Sequence, residues 1–189
     1  MKINLCKSNF ITGMLLLVAT TWTGNTMADE DATYFEAKLS GLNMLPSIYS
    51  PAHGKLTTEI DPYGKYIYFK LYYEKLSAKA TAAHIHFGQK FADGGPIAFL
   101  CGGPKPACPA YGGWVEGKIR SEDIIGPAGQ GVEPGNIKSA IKLMKKGLMY
   151  GNVHNSKFPP GELRGQLYPV EEIEDGGMGG GMGGGMGGM

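Results

Sequence analysis

Four histidines are the residues of this 189-residue chain best suited to bind a metal ion. His84 and His86 lie two positions apart in an alternating apolar run, so a strand would place both on one face with backbone positions about 7 Å apart. Two such imidazoles can bind one cation. His154 ends another predicted strand, and His53 lies in a turn before one. These four are the candidate metal ligands, with ordinary hydrogen bonding as the alternative for each.

The C-terminal segment adds sulfur ligands. Residues 176–189 contain only glycine and methionine and follow a short acidic stretch, so 171–189 is predicted to be a flexible tail. Thioethers are soft ligands that select Cu(I), and an inert linker is an equal alternative. Imidazole also suits copper, so the combination favours copper over zinc. The candidate Cu(I) ligands in the tail are Met178, Met182, Met186 and Met189.

Residues 1–28 are typical of a secretory signal peptide. Two lysines precede a short apolar run that is about half as long as a membrane span, and Thr26, Met27 and Ala28 provide a cleavage site. A membrane anchor is the alternative. Cleavage would leave no membrane span, so we expect a periplasmic or secreted protein. The net charge of +1 argues against a nucleic-acid binder.

Two cysteines remain after this cleavage. Cys101 and Cys108 flank a segment rich in glycine and proline, and an oxidising compartment favours a disulfide between them. A thiolate pair that binds a soft metal is the alternative, although the spacing is not that of a CxxC site.

Hydrophobic alternation predicts an all-β protein. Gly/Pro turns separate eight short runs, which indicates an antiparallel sandwich or barrel. The runs cover residues 34–39, 55–61, 66–73, 81–87, 96–101, 114–120, 148–154 and 162–168. Within 81–87 the pattern places His84 and His86 outward, away from the core. Residues 136–147 instead have helical spacing, with a capping Asn136 and a terminal Gly147, and predict one short helix.

Several motifs resemble the CHRD (chordin) domain family. They are LSGLNMLP at 39–46, AHIHFG at 83–88, GPI at 95–97, LMYGNVHN at 148–155 and FPPGELRGQL at 158–167. The resemblance covers about residues 33–168, so we expect a domain at 29–170. It implies a Greek-key β-sandwich of superoxide-dismutase-like or immunoglobulin-like type. The family usually has an acidic residue at Met44 and a small residue or Thr at His53, so both departures suggest a copper-binding member and make Met44 a further candidate Cu(I) ligand.

The last motif also suggests structural roles. Glu162 and Arg164 are predicted on the outer face, where they could pair or one could hold a loop. Asn152 and Asn155 are candidates to orient His154. We favour these roles over catalysis because no nucleophile–base pair stands out.

Three functions are compatible with these features. The first is an exported copper-binding protein for storage, tolerance or delivery, with a second periplasmic copper protein as a possible partner. The second is a copper-only redox enzyme of superoxide-dismutase type. The third is a metal-free interaction module, for which Tyr66, Tyr68 and Tyr72 would form a partner surface. The sequence favours the first and a non-enzymatic role.

Overall fold

The computed structural model describes residues 31–171 of the chain. The predicted signal peptide and all but the first residue of the predicted tail lie outside these described residues. The strands are β1 (Tyr34–Ser40), β2 (His53–Ile60), β3 (Tyr66–Glu74), β4 (Ala80–Phe87), β5 (Pro96–Cys101), β6 (Gly113–Arg120), β7 (Met149–Asn155), β8 (Leu163–Gln166) and β9 (Tyr168–Val170), and the helix is α1 (Ile137–Lys145). None of the helices among residues 31–171 has the length and hydrophobicity that a membrane span requires.

The strands form one antiparallel sheet in the order β5-β4-β7-β8-β1-β2-β3-β6, with β9 paired to β1. For the described residues, the prediction of an all-β fold with one α-helix is confirmed. The eight predicted runs all become strands, and the ninth strand arises because the last run is divided at Leu167. The side chain of Leu167 is fully buried, and β9 then pairs with β1 instead of continuing along β7.

The sheet folds over on itself around an apolar core. Leu56 of β2 packs against Gly151 of β7, although β8 and β1 separate these two strands in the sheet. A Cβ atom at position 151 would lie 2.7 Å from Leu56 Cδ2, so only glycine permits this close approach. Fully buried side chains on the inner face include Phe35, Leu56, Ile67, Leu71, Ile85 and Ile119.

The helix α1 covers the core beside β2. Its N-cap is Asn136, whose side chain accepts a hydrogen bond from Ser139 N at 3.0 Å. Gly147, at φ +67°, follows the helix in the left-handed conformation that commonly ends one. Met144 is fully buried, and its sulfur accepts a hydrogen bond from Thr58 of β2. The predicted helix and both of its capping residues are confirmed.

The predicted disulfide between Cys101 and Cys108 is present and closes the loop after β5. The cross-link restricts the unfolded chain over a short loop, so reduction should lower the free energy of unfolding by about 2 kcal/mol. Urea denaturation with and without a reductant measures this difference. A thiol titration of the unreduced, denatured protein is the control. Reactive thiols at both Cys101 and Cys108, or equal stability with and without reductant, would contradict this prediction.

Candidate metal centre

Three adjacent strands carry polar side chains on one face of the sheet. In the β4–β7 pairing, His84 lies opposite Asn152 and His86 lies opposite Tyr150. In the β7–β8 pairing, Asn152 lies opposite Arg164. Because side chains alternate along a strand, the neighbouring apolar residues point to the core on the other face. The fold thus separates an apolar inner face from a polar outer face at β4, β7 and β8.

His84, His86 and His154 converge on this polar face. One ring nitrogen from each residue lies within 4.8 Å of the others. The ring centres of His84 and His154 are 4.8 Å apart, and those of His84 and His86 are 5.4 Å apart. Three imidazole nitrogens at these separations can bind one metal ion, as three-histidine zinc sites do. We call these residues the histidine cluster.

Backbone carbonyls orient two of the three rings. His86 Nδ1 lies 2.9 Å from the carbonyl oxygen of Gly94, and His154 Nδ1 lies 2.8 Å from that of Pro159. Because a carbonyl only accepts, each Nδ1 carries the proton and each Nε2 presents a lone pair. Metal-binding histidines typically donate their second ring N–H in this way.

Among residues 31–171, three buried ring nitrogens of the cluster have no hydrogen-bond partner: His84 Nδ1, His86 Nε2 and His154 Nε2. Leaving a buried polar atom unpaired is costly, and folded proteins rarely tolerate it without a reason. Here one nitrogen from each member of a single cluster is unpaired. This donor set fits a metal ion that accepts all three lone pairs.

Burial keeps these imidazoles neutral. It is the main cause that lowers the pKa of His84 to about 3 and that of His86 to about 4, and it also lowers the pKa of His154. Positive charge on a neighbouring cluster member lowers the pKa values of His84 and His86 further. For His86, Arg164 acts in the same direction, while the Gly94 hydrogen bond and the Asp93 charge oppose it. The rings are therefore in the form that binds metal at neutral pH.

The outward placement of His84 and His86 needs a correction. They do leave the apolar core, but the face they occupy is covered, and His86 is only 8% exposed. The loop 88–95 between β4 and β5 lies over it, with Tyr150 Oη accepting from Gly94 N at 3.2 Å. The His86 ring stacks on Tyr150 at 4.9 Å, and the His84 ring packs against Phe99 at 4.3 Å.

Arg164 holds this covering loop. Its guanidinium donates to the Asp93 carboxylate at 2.9 Å and to the carbonyl oxygen of Ala92 at 2.7 Å. It also lies 3.4 Å from the centre of the Tyr150 ring, whose stacking partner is His86. The predicted role of holding a loop is confirmed for Arg164, and its partner is Asp93 instead of Glu162.

Glu162 is fully buried, so its predicted position on the outer face is wrong. Its carboxylate accepts hydrogen bonds from Ser50, Ser77 and Asn155. The cause is that β8 begins only at Leu163, so Glu162 belongs to the preceding turn and does not follow the strand alternation.

Asn152 and Asn155 act on His154 through a turn and do not contact its ring nitrogens by hydrogen bonds. Asn152 Nδ2 donates to the carbonyl oxygen of Pro160, and Asn155 Oδ1 accepts from Phe158 N. Together they fix the turn whose Pro159 carbonyl accepts the His154 N–H.

Two residues of the site, Tyr150 and Gly94, were not predicted from the sequence. The position of Tyr150 on this face could have been predicted, because it lies two and four residues before Asn152 and His154 on the same strand. No local pattern indicated Gly94.

Of the other candidate ligands, His53 lies away from the cluster. His53 is on β2, its Nε2 lies 2.8 Å from Glu74 Oε1, and its side chain is 52% exposed. In the sheet, β8 and β1 separate β2 from β7. Met44 is buried at the end of the short helical turn after β1. The methionines of the tail lie outside the described residues.

Comparison with known proteins assigns the family. The model of the CHRD domain matches residues 35–167, which is most of the chain and includes the whole histidine cluster. Searches of curated proteins and of solved structures found no significant match. The resemblance seen in the motifs is thereby confirmed, and the chain belongs to the CHRD domain family.

Proposed function

We propose that this CHRD-domain protein binds one copper ion through His84, His86 and His154. The observation that supports this most strongly is the set of three buried, unpartnered ring nitrogens on one face of the sheet. Two of the rings are also fixed by backbone carbonyls in the tautomer that leaves Nε2 free. In this proposal the protein stores copper or delivers it to another copper protein.

The choice of copper depends on the combination of ligand types. Neutral imidazoles suit both copper and zinc. The four methionines among residues 176–189 favour copper, since thioethers select Cu(I). Three protein nitrogens leave a coordination position free for a fourth ligand, such as a tail thioether or a donor from a partner. Met44 and His53 are not included in the proposed site.

The proposed location is outside the cytoplasm. The Cys101–Cys108 disulfide supports it, because disulfides persist mainly in oxidising compartments. The signal-like segment at 1–28 supports it independently. A periplasmic or secreted protein would meet copper directly on entry into the cell envelope.

The two rival functions have weaker support. A dismutase-like enzyme would benefit from a free cation that attracts an anionic substrate, but Arg164 is buried and paired with Asp93. A metal-free interaction module would use the tyrosine surface on β3. There Tyr66 and Tyr68 contact each other and Lys118, and Tyr72 packs against Trp114. These contacts need no metal, so a metal titration separates this rival from the proposal.

A copper titration of the full mature chain tests the proposal. One equivalent should bind through imidazole nitrogens, detected for Cu(II) by electron paramagnetic resonance and for Cu(I) by competition with a chromophoric chelator. Binding should also raise the melting temperature, because the ion binds only the folded cluster. If the chain holds no copper through nitrogen donors and its melting temperature is unchanged, the metal-free module is the better description.

The pH dependence of copper affinity gives a second prediction. Protons compete with the metal only near the pKa of the ligands, and burial moves those of His84 and His86 to about 3 and 4. Affinity should therefore stay level as pH falls through about 6.5, the ordinary pKa of histidine, and decrease only as pH approaches 4. Chelator competition at pH 7.5, 6.0, 5.0 and 4.0 checks this, with the chelator's own protonation corrected. A midpoint of the loss near pH 6.5 would indicate exposed histidines as the ligands.

A further inference from the structure

Within the described residues, the histidine cluster has no negatively charged member. It consists of three imidazoles, and its two orienting hydrogen bonds end on the carbonyls of Gly94 and Pro159. A bound ion would keep its full charge, which is +1 for Cu(I) and +2 for Cu(II) or Zn(II). The cost of placing an ion in a buried site rises steeply with its charge. The neutral donor set thus already favours the singly charged ion.

Arg164 adds a fixed positive charge close to this site. Arg164 is only 3% exposed, and its Cζ atom lies 3.4 Å from the centre of the Tyr150 ring. The His86 ring is 4.9 Å from the same centre, so the cation and the imidazole are at most about 8 Å apart. Repulsion by this cation is twice as large for a divalent ion as for a monovalent one.

The counter-charge of Arg164 is the Asp93 carboxylate, which lies where water screens its electric field. Asp93 accepts from Arg164 at 2.9 Å, but its side chain is 70% exposed while that of Arg164 is 4% exposed. Water screens the exposed carboxylate more than the buried guanidinium. The net effect at the cluster is positive.

We propose that Arg164 makes the histidine cluster selective for Cu(I) over divalent ions and that Asp93 moderates this selectivity. This inference rests on the proposed function, because it assigns an oxidation state to the same site. Arg164 does not bind the ion and acts as a positioning and electrostatic residue through Tyr150 and the loop 88–95. The same charge arrangement disfavours zinc, which has no monovalent form.

Two variants that change the charge near the cluster in opposite directions test this proposal. In the full mature chain, Arg164→Gln removes the cation and should raise the affinity for Cu(II) relative to Cu(I) about tenfold. Asp93→Asn removes the anion and should lower the same ratio. The ratio is obtained from chelator competition for each oxidation state and, independently, from the reduction potential of the copper-loaded protein. The affinity for Zn(II) should follow that for Cu(II) in both variants.

Comparison of Arg164→Gln with Asp93→Asn also distinguishes an electrostatic effect from an effect of loosening the loop 88–95. Both substitutions remove the same Arg164–Asp93 ion pair, so a purely structural effect of its loss would shift the ratio in one direction in both variants. Arg164→Lys keeps the charge and should stay close to the wild-type ratio even if the loop is weakened. Equal or same-direction shifts in Arg164→Gln and Asp93→Asn would overturn the proposal while copper binding itself stands. Loss of the wild-type copper signal in His84→Ala confirms that the cluster is being measured, and its persistence there would instead refute the proposed function.

Discussion

Replacing His84 with alanine is expected to lower the copper affinity of the protein by at least about 100-fold, because loss of a ligand should exceed the 10- to 100-fold cost of losing a partner that only orients one. His84 Nδ1 is one of the three unpaired nitrogens of the cluster. Its removal leaves two imidazoles and exposes the ion to water on one side. Chelator competition at pH 7.5 measures the change.

His53→Ala is the matched control for this experiment. It also removes one imidazole, but His53 is half exposed and bonds to Glu74 on another part of the sheet. Its copper affinity should equal that of the wild type. Circular dichroism and the melting temperature of the apo-protein should show that both variants are folded, although His84→Ala also loses its contact with Phe99. Equal losses of affinity in the two variants would contradict the assignment of the site.

Substitution of Glu162 by alanine should produce the largest loss of stability, about 3–5 kcal/mol in the free energy of unfolding. The carboxylate is fully buried and accepts hydrogen bonds from both the backbone N–H and the hydroxyl of Ser77, at 3.0 and 3.1 Å. It also accepts from Ser50 and Asn155. Alanine would leave these donors without an acceptor and open a cavity between three segments of the chain.

Urea denaturation of apo-protein measures this loss, with Glu116→Ala as the control. Glu116 lies exposed on β6, so its removal should change the free energy of unfolding by no more than about 0.5 kcal/mol. Glu162→Gln should fall between the two, since its amide keeps one acceptor oxygen but presents N–H groups to the donors of Ser77 and Asn155. If Glu162→Ala is as stable as Glu116→Ala, the network does not support the fold.

Local sequence patterns were sufficient for most of the fold. Some features depend on neighbouring residues alone, so they could be predicted. These are the alternation along β3 and β4, the spacing of the apolar residues in α1, and its capping by Asn136 and Gly147. The order of the strands could not, because it is set by contacts between distant segments. Leu56 against Gly151 is such a contact.

The same distinction between local patterns and long-range contacts explains which parts of the site could be predicted. His84 and His86 share a strand, so their common face follows from their spacing, but the approach of His154 depends on the pairing of β4 with β7. His53 was grouped with them by residue type, and strand order places it elsewhere. The cover over His86 was missed because loop 88–95 is held by Arg164, more than 70 positions along the chain from Ala92. Periodicity contains no information on such a contact.

Anomalous X-ray scattering at the copper edge, from crystals of the copper-loaded protein, would locate the ion relative to the histidine cluster. We expect one strong anomalous peak within bonding distance of His84 Nδ1, His86 Nε2 and His154 Nε2, at about 2.0–2.1 Å by analogy with metal–imidazole bonds. The Nδ1 atoms of His86 and His154 should keep their hydrogen bonds to Gly94 and Pro159. A copper peak elsewhere, with no density among these three rings, would contradict this expectation.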